Sequence, residues 1–441
     1  MIVHMKQENT YSIKYIGVLD GIRAISIIIV LIFHFWQQTW IFPRVSIPFP
    51  VASGSVSIDF TPFAKVGYLF VDMMILISGF LLFLPVARNV FCGEPLRKWG
   101  AYFRSRATRI LPSYLFCVIV LFVYSLITGA YGDPVDKGFA VKDLLLHLTF
   151  MQTWTIKTYL ATNLNVVLWT LAVEVWFYIL FPLFAIFIRR RKNENSAAGP
   201  LIRTVFTAAV LLLLSFAYIY GYVLNSGSAF ANAADNILSK LGSGITSKYP
   251  AMTINQLPAF FEVYAVGMCG AMLYVYAANK LKKRNWIVGI LGTMISVGAI
   301  ILIVLMVKDC AKLSLADAQT WQVKKRLLLA LVFMLFILST AFSLGFWRFI
   351  FSNKFIAILS AISYNLYIWH QWLCVKIKSE WRIPFWEGDT PPNQWGTPEG
   401  SAWAAKYAII ITVAAFAVAA LVTYLYEKPV TKALSGKKNG K

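Results

Sequence analysis

The chain has 441 residues, of which 59% are hydrophobic and 14% charged, with a mean hydropathy of +0.66. Soluble domains carry about a quarter charged residues, so the composition excludes a soluble enzyme or binding module and describes a chain largely dissolved in lipid. The net charge of +22 invites a nucleic-acid partner, but the basic residues lie between apolar runs and not on one soluble face, which excludes it.

Apolar runs of about 20 residues, long enough to cross a bilayer, recur throughout. Ten spans are expected, centred near Ile28, Ile75, Val118, Tyr178, Leu212, Tyr264, Gly292, Leu335, Tyr364 and Ala415. The expected fold class is all-α: a polytopic membrane helix bundle in the plasma (inner) membrane. One membrane domain is expected over residues 1–430, followed by a basic tail at 431–441. The first run follows a weakly charged leader with no small-residue cleavage site, so it is read as a retained span.

Basic residues cluster at 88–109, at 189–203, at 280–284 and after Glu427. On a ten-span chain these fall on one side together with the N-terminus, and the positive-inside rule then puts both termini in the cytoplasm. The stretch 308–326 resists, because its five basic residues belong to a connection expected outside. It marks the seventh and eighth spans as the weak point of the topology. The connections 37–65, 129–164, 225–254 and 376–404 are the ones expected outside. The last is aromatic, with Trp386 and Trp395, which suits either sugar stacking or the interfacial belt.

An ionisable side chain inside a span costs roughly 2.5 to 3.5 kcal/mol, so each one requires a partner or a purpose. In the first span, Asp20, Arg23 and His34 share one face, with Arg23 and His34 about 16 Å apart along the helix. Arg23 reads equally as an interfacial anchor paired with Asp20. His34 is the stronger functional candidate, since imidazole is the usual general base near neutral pH.

In the second span, Asp72 and Ser78-Gly79 either line a cavity or pack closely. The segment 97–112 holds Arg104, Arg106 and Arg109 immediately before the third span. Positive-inside bias explains some of this charge, while three arginines within six residues also suit phosphate binding. In the fourth span, Glu174 near Trp169 and Tyr178 either bonds a neighbouring helix or orients an imidazole, and its depth is compatible with pairing to His34. The ninth span presents Tyr364, Tyr367 and Gln371 on one face, with His370 near its outer end. His4 and His147 lie outside the spans and are assigned nothing. The five cysteines and four histidines show no metal-ligand spacing, so no metal is expected, and no nucleotide-binding motif is present.

Six segments together resemble acyltransferase family 3: 19–34, Asp72 with Ser78-Gly79-Phe80, 106–112, 169–178 with Pro182, 363–370, and Glu427-Lys428-Pro429. They run in order over nearly the whole chain. One departure is Met74-Ile75, where an aromatic pair is usual. The resemblance implies an enzyme, an O-acyltransferase, with acetyl-CoA or another acyl-CoA as donor. It also implies that Arg23 and His34 are needed for activity, and it matches the family's paired arginines to Arg106 and Arg109 and its Trp and Glu to Trp169 and Glu174.

The catalytic set expected is therefore His34, Arg23 and Glu174, with Arg104, Arg106 and Arg109 for the coenzyme A phosphates. Asp72, Ser78, Trp169, Tyr178, Tyr364, Tyr367 and His370 are the expected substrate-binding residues. The expected acceptor is a hydroxyl of a surface polysaccharide or a lipid-linked glycan, with membrane lipids around the bundle. Direct transfer and a transient acyl group on His34 are both compatible with these residues. The rival reading is a transporter for an anionic solute or a lipid-linked sugar, and a third is a non-enzymatic scaffold.

Overall fold

Lipid offers a peptide group no hydrogen-bond partner, so a chain of this composition has to satisfy its backbone within helices. The computed structural model describes residues 11–13, 16–40, 44–48, 55–132, 134–191, 193–194, 196–388, 391–392 and 398–434. Among them are ten helices long and apolar enough to cross a membrane. They are Gly17–Thr39, Leu69–Cys92, Trp99–Ile127, Val166–Ile188, Ala198–Val223, Leu257–Leu281, Trp286–Ala311, Leu315–Phe342, Gly345–Ser379 and Glu399–Leu434, called here the first to tenth spans. All ten expected centres fall inside them. His4, Lys192, Trp395 and the tail from 435 onward lie outside the described residues.

The second and sixth spans form the middle of the bundle, with 78% of their apolar windows buried against 28% for the seventh and tenth. Their close approach requires glycine: a Cβ on Gly267 would stand 2.9 Å from the Phe80 backbone nitrogen, and one on Gly79 would stand 2.9 Å from the Tyr264 ring. The fourth span joins this centre through Phe177, whose ring stacks on Tyr264 at 3.4 Å. Gly21 does the same for the first span, since a Cβ there would collide with the Phe351 carbonyl of the ninth. The peripheral seventh span instead exposes Trp286, Ile287, Leu291 and Met294, an apolar face of the kind lipid solvates.

The seventh and eighth spans both form, which resolves the basic stretch at 308–326. Lys324, Lys325 and Arg326 belong to the eighth helix, not to a loop. Arg326 is fully buried, and its Nε donates to Asp72 Oδ2 at 3.3 Å. Its Nη1 donates to the carbonyls of Ile254 and Ala259 at 3.1 and 3.0 Å. Lys65 reaches the same connection and donates to the carbonyls of Ala311 and Leu313.

Outside the spans, a two-stranded antiparallel hairpin pairs Arg44–Pro48 with Ser55–Asp59, with Arg44 opposite Asp59. This is the one sheet among the described residues of an otherwise helical chain. In the aromatic connection, Trp386 is buried against Trp403 with ring centroids 5.8 Å apart. It contributes to packing there, not to an open sugar platform.

Candidate active site

Two short irregularities build the site. Asn165 opens the fourth span by accepting from the Val167 amide, and its Nδ2 donates to the Ile368 carbonyl of the ninth span at 2.7 Å. That contact sets the height of Thr170 and Glu174 against Tyr367. The second irregularity is a π-helical segment, Val422–Glu427, in the tenth span; such segments re-aim the side chains they carry. It directs Glu427 inward, where Ser113 and Asn365 donate to its Oε2 at 2.9 and 2.5 Å.

Between these elements lies a cavity of about 300 Å3. Arg23 and Arg109 line it together with Asp20, Glu174 and Glu427, and Ser78, Thr170, Ser363, Tyr364 and Tyr367 add hydroxyls. Met74 and Ile75, the departure from the family pattern, form part of its apolar wall. Arg23 makes no hydrogen bond or ion pair with another described residue and faces the cavity between Asp20, Glu174 and Arg109. An arginine held inside a bundle without a bidentate partner is available to an anion.

The Glu174 carboxylate accepts from Tyr178 at 3.1 Å, and the Tyr178 hydroxyl lies 3.0 Å from Ser78. Arg106 lies over the Tyr178 and Tyr102 rings, 5.5 and 5.8 Å from their centroids. Tyr364 donates to the Ile110 carbonyl at 3.0 Å, which ties the ninth span to the turn after Arg109. Six of the expected residues, Arg23, Ser78, Arg109, Glu174, Tyr364 and Tyr367, therefore converge on one cavity. Tyr178 and Arg106 stand directly behind it.

Other expectations are not met. Glu174 does not pair with His34, because its carboxylate is engaged by Tyr178 and faces Arg23, while His34 bonds Gln37 Oε1 at 3.0 Å through Nδ1. Asp72 does not line the cavity but forms the buried ion pair with Arg326, supported by Gln322 at 3.3 Å. Trp169 packs on Phe260 and lies outside the cavity lining. The three arginines before the third span do not make one fork. The helix begins at Trp99, and at about 100° per residue it turns Arg104 to the side opposite Arg106, leaving Arg106 and Arg109 within about 60°. Arg104 and Arg109 are both exposed and Arg106 is half-buried, and of the three only Arg109 lines the cavity.

His34 and His370 form a second cluster, with ring centroids 4.9 Å apart. Tyr367 bridges the two regions: it lines the cavity, and its ring centroid lies 5.6 Å from that of His370. Sequence reasoning gave no role to Glu427 and made Asp20 only a partner for Arg23, although both line the cavity. The Glu427-Lys428-Pro429 segment was visible as a motif, but only the π-segment turns its carboxylate inward. Among the described residues no group of three or more His, Cys, Asp or Glu is placed to hold a metal ion.

Comparison with known proteins places the geometry in context. A family model described as an acyltransferase domain matches residues 16–427. The O-acetyltransferase OatA of Staphylococcus aureus (strain NCTC 8325 / PS 47) is 25% identical over 216 residues, covering 47% of this chain and 30% of that protein. The peptidoglycan O-acetyltransferase OatA of Listeria monocytogenes serovar 1/2a (strain ATCC BAA-679 / EGD-e) is 23% identical over 201 residues, covering 43% of this chain and 28% of that protein. The chain thus spans less than a third of the length of these curated relatives. No solved structure matches it. With a match that runs from the start of the first span into the tenth, this multi-pass membrane protein belongs to acyltransferase family 3.

Proposed function

We propose that the chain is a membrane-embedded O-acyltransferase. It moves an acetyl or other short acyl group from acyl-CoA to a hydroxyl of a surface polysaccharide or lipid-linked sugar precursor, in the plasma (inner) membrane with both termini cytoplasmic. The observation that supports this best is the convergence of Arg23, Arg109 and Glu174 on one hydroxyl-rich cavity in a chain of this family. The names of the relatives, one of them a peptidoglycan O-acetyltransferase, favour a glycan acceptor and an acetyl group.

Arg106 and Arg109 bind the coenzyme A phosphates at the foot of the bundle, with Arg104 adding charge at the surface. Arg23 draws the donor arm into the cavity. Eleven helical rises set Arg23 and His34 about 16 Å apart, and Arg23 belongs to the donor end. Glu174 balances Arg23 and holds Tyr178. His34 is the general base: the acceptor oxygen attacks the thioester carbon, the C–O bond forms and the C–S bond breaks. The hydroxyl proton passes to His34 and from there to the leaving sulfur, giving free coenzyme A.

Membranes carrying the protein, supplied with radiolabelled acetyl-CoA and envelope glycans, are expected to put base-labile label on the glycans. Transport of an anionic solute or lipid-linked sugar without labelling, across acetyl-CoA and longer acyl-CoA donors, would replace this reading with the transporter.

A further inference from the structure

The two histidines offer more than one base. Nδ1 of His370 lies 2.7 Å from the Tyr367 carbonyl and 3.1 Å from that of Leu366. Carbonyl oxygens only accept, so Nδ1 carries the proton and Nε2 of the neutral ring holds a lone pair. His34 Nδ1 lies 3.0 Å from the amide oxygen of Gln37; with the amide so oriented, Nδ1 carries the proton and Nε2 is also a lone pair.

His370 is fully buried, and its Nε2 has no partner among the described residues. A buried acceptor left unsatisfied is costly, and native structures keep such groups rarely and for a reason. Its ring lies 4.9 Å from that of His34, centroid to centroid, at an interplanar angle of 53°. That spacing leaves room for one hydrogen bond between ring edges, yet two unprotonated Nε2 atoms cannot bond each other. In these tautomers the pair is complete only when it holds one proton.

We propose that His34 and His370 act as a paired base that binds a single proton between their Nε2 atoms. The inference rests on the O-acyl transfer proposed above, with His34 as its base. As the acceptor oxygen attacks the thioester carbon, its proton moves to Nε2 of His34. The imidazolium so formed donates through Nδ1 to Gln37 and through Nε2 to His370, and charge developing in a dry site meets a prearranged acceptor. Breaking the C–S bond leaves a thiolate that takes the proton back, and both rings return to their neutral tautomers. His370 is thus a positioning residue that acts through His34.

The test uses the full chain reconstituted in lipid, with acetyl-CoA and a glycan acceptor. His370→Met and His370→Phe fill the site without an acceptor atom, whereas His370→Gln keeps one. The first two are expected to lower kcat about a hundredfold with KM for acetyl-CoA unchanged, and His370→Gln is expected to recover about a tenth of the wild-type rate. A role in packing alone predicts no advantage for Gln over Met or Phe. Equal losses in all three, unchanged kcat, or an effect confined to KM would overturn the pairing. His34→Ala separates the two levels: if it is inactive while His370→Met keeps full rate, only the pairing falls; if it stays active, the base assignment falls with it.

Discussion

Arg109 occupies the position where the helical start of the third span meets the cavity, with no carboxylate hydrogen-bonded to it among the described residues. Charge-assisted hydrogen bonds of the kind it would give a phosphate are worth about 1.5 to 3 kcal/mol. Arg109→Ala is therefore expected to raise KM for acetyl-CoA about ten- to a hundredfold while leaving kcat near the wild-type value. Initial rates over a range of donor concentration check this, and a change in kcat alone would count against it. At this scale the sequence was informative where charge in an apolar helix had no bland explanation. Arg23 and Glu174 were legible for that reason, and the tyrosines of the ninth span through their helical spacing. Asp72 was misread because its partner, Arg326, lies 254 residues further on in a stretch that looked like a basic loop. Glu174 was given to His34 on depth alone, although the Tyr178 hydroxyl one helical turn away already satisfied it.

The ion pair between the second and eighth spans is a lock between elements. Removing one partner of a buried pair leaves an uncompensated charge and costs about 3 to 5 kcal/mol. Asp72→Asn should accordingly lower the unfolding midpoint of the detergent-solubilised protein sharply, and pairing it with Arg326→Met should restore much of the loss. A single variant as stable as the wild type would show that the pair does not hold these helices. A different pair ties the connection between the fourth and fifth spans to the start of the fifth, where Arg203 donates to Glu194 at 2.6 and 2.9 Å. Those bonds, with one from the Arg191 amide, hold the Glu194 carboxyl down at about 2, against an ordinary value near 4.3. A depressed carboxyl stabilises fully above its unfolded value and loses that contribution as the pH falls through its folded value. The difference in midpoint between wild type and Glu194→Gln should therefore persist from about pH 6 to pH 4 and close only toward pH 2; closure by pH 4 would contradict it. The ten elements themselves were legible, because hydrophobic runs of bilayer length leave the backbone no alternative to helix. Their ends were less so: the third span was expected to begin after its arginines, yet the helix starts at Trp99 and disperses them.

For the whole molecule, the bundle joins an arginine-lined cavity to a histidine pair through Tyr367. On the proposed transfer, the donor end belongs to the first cluster and the acceptor end to the second. Composition predicted the membrane fold, and six short segments predicted the family; neither predicted that the polar residues divide into two clusters, since that division depends on which helices pack together. The account requires that both clusters serve one transfer. Its most direct test is to reconstitute the purified wild type, Arg23→Ala and His34→Ala in liposomes, supply radiolabelled acetyl-CoA and a glycan acceptor, and count base-labile label on the glycan. The account predicts label with the wild type and a loss of about two to four orders of magnitude for His34→Ala, with Arg23→Ala also strongly impaired. Full labelling by a correctly inserted His34→Ala protein would contradict it.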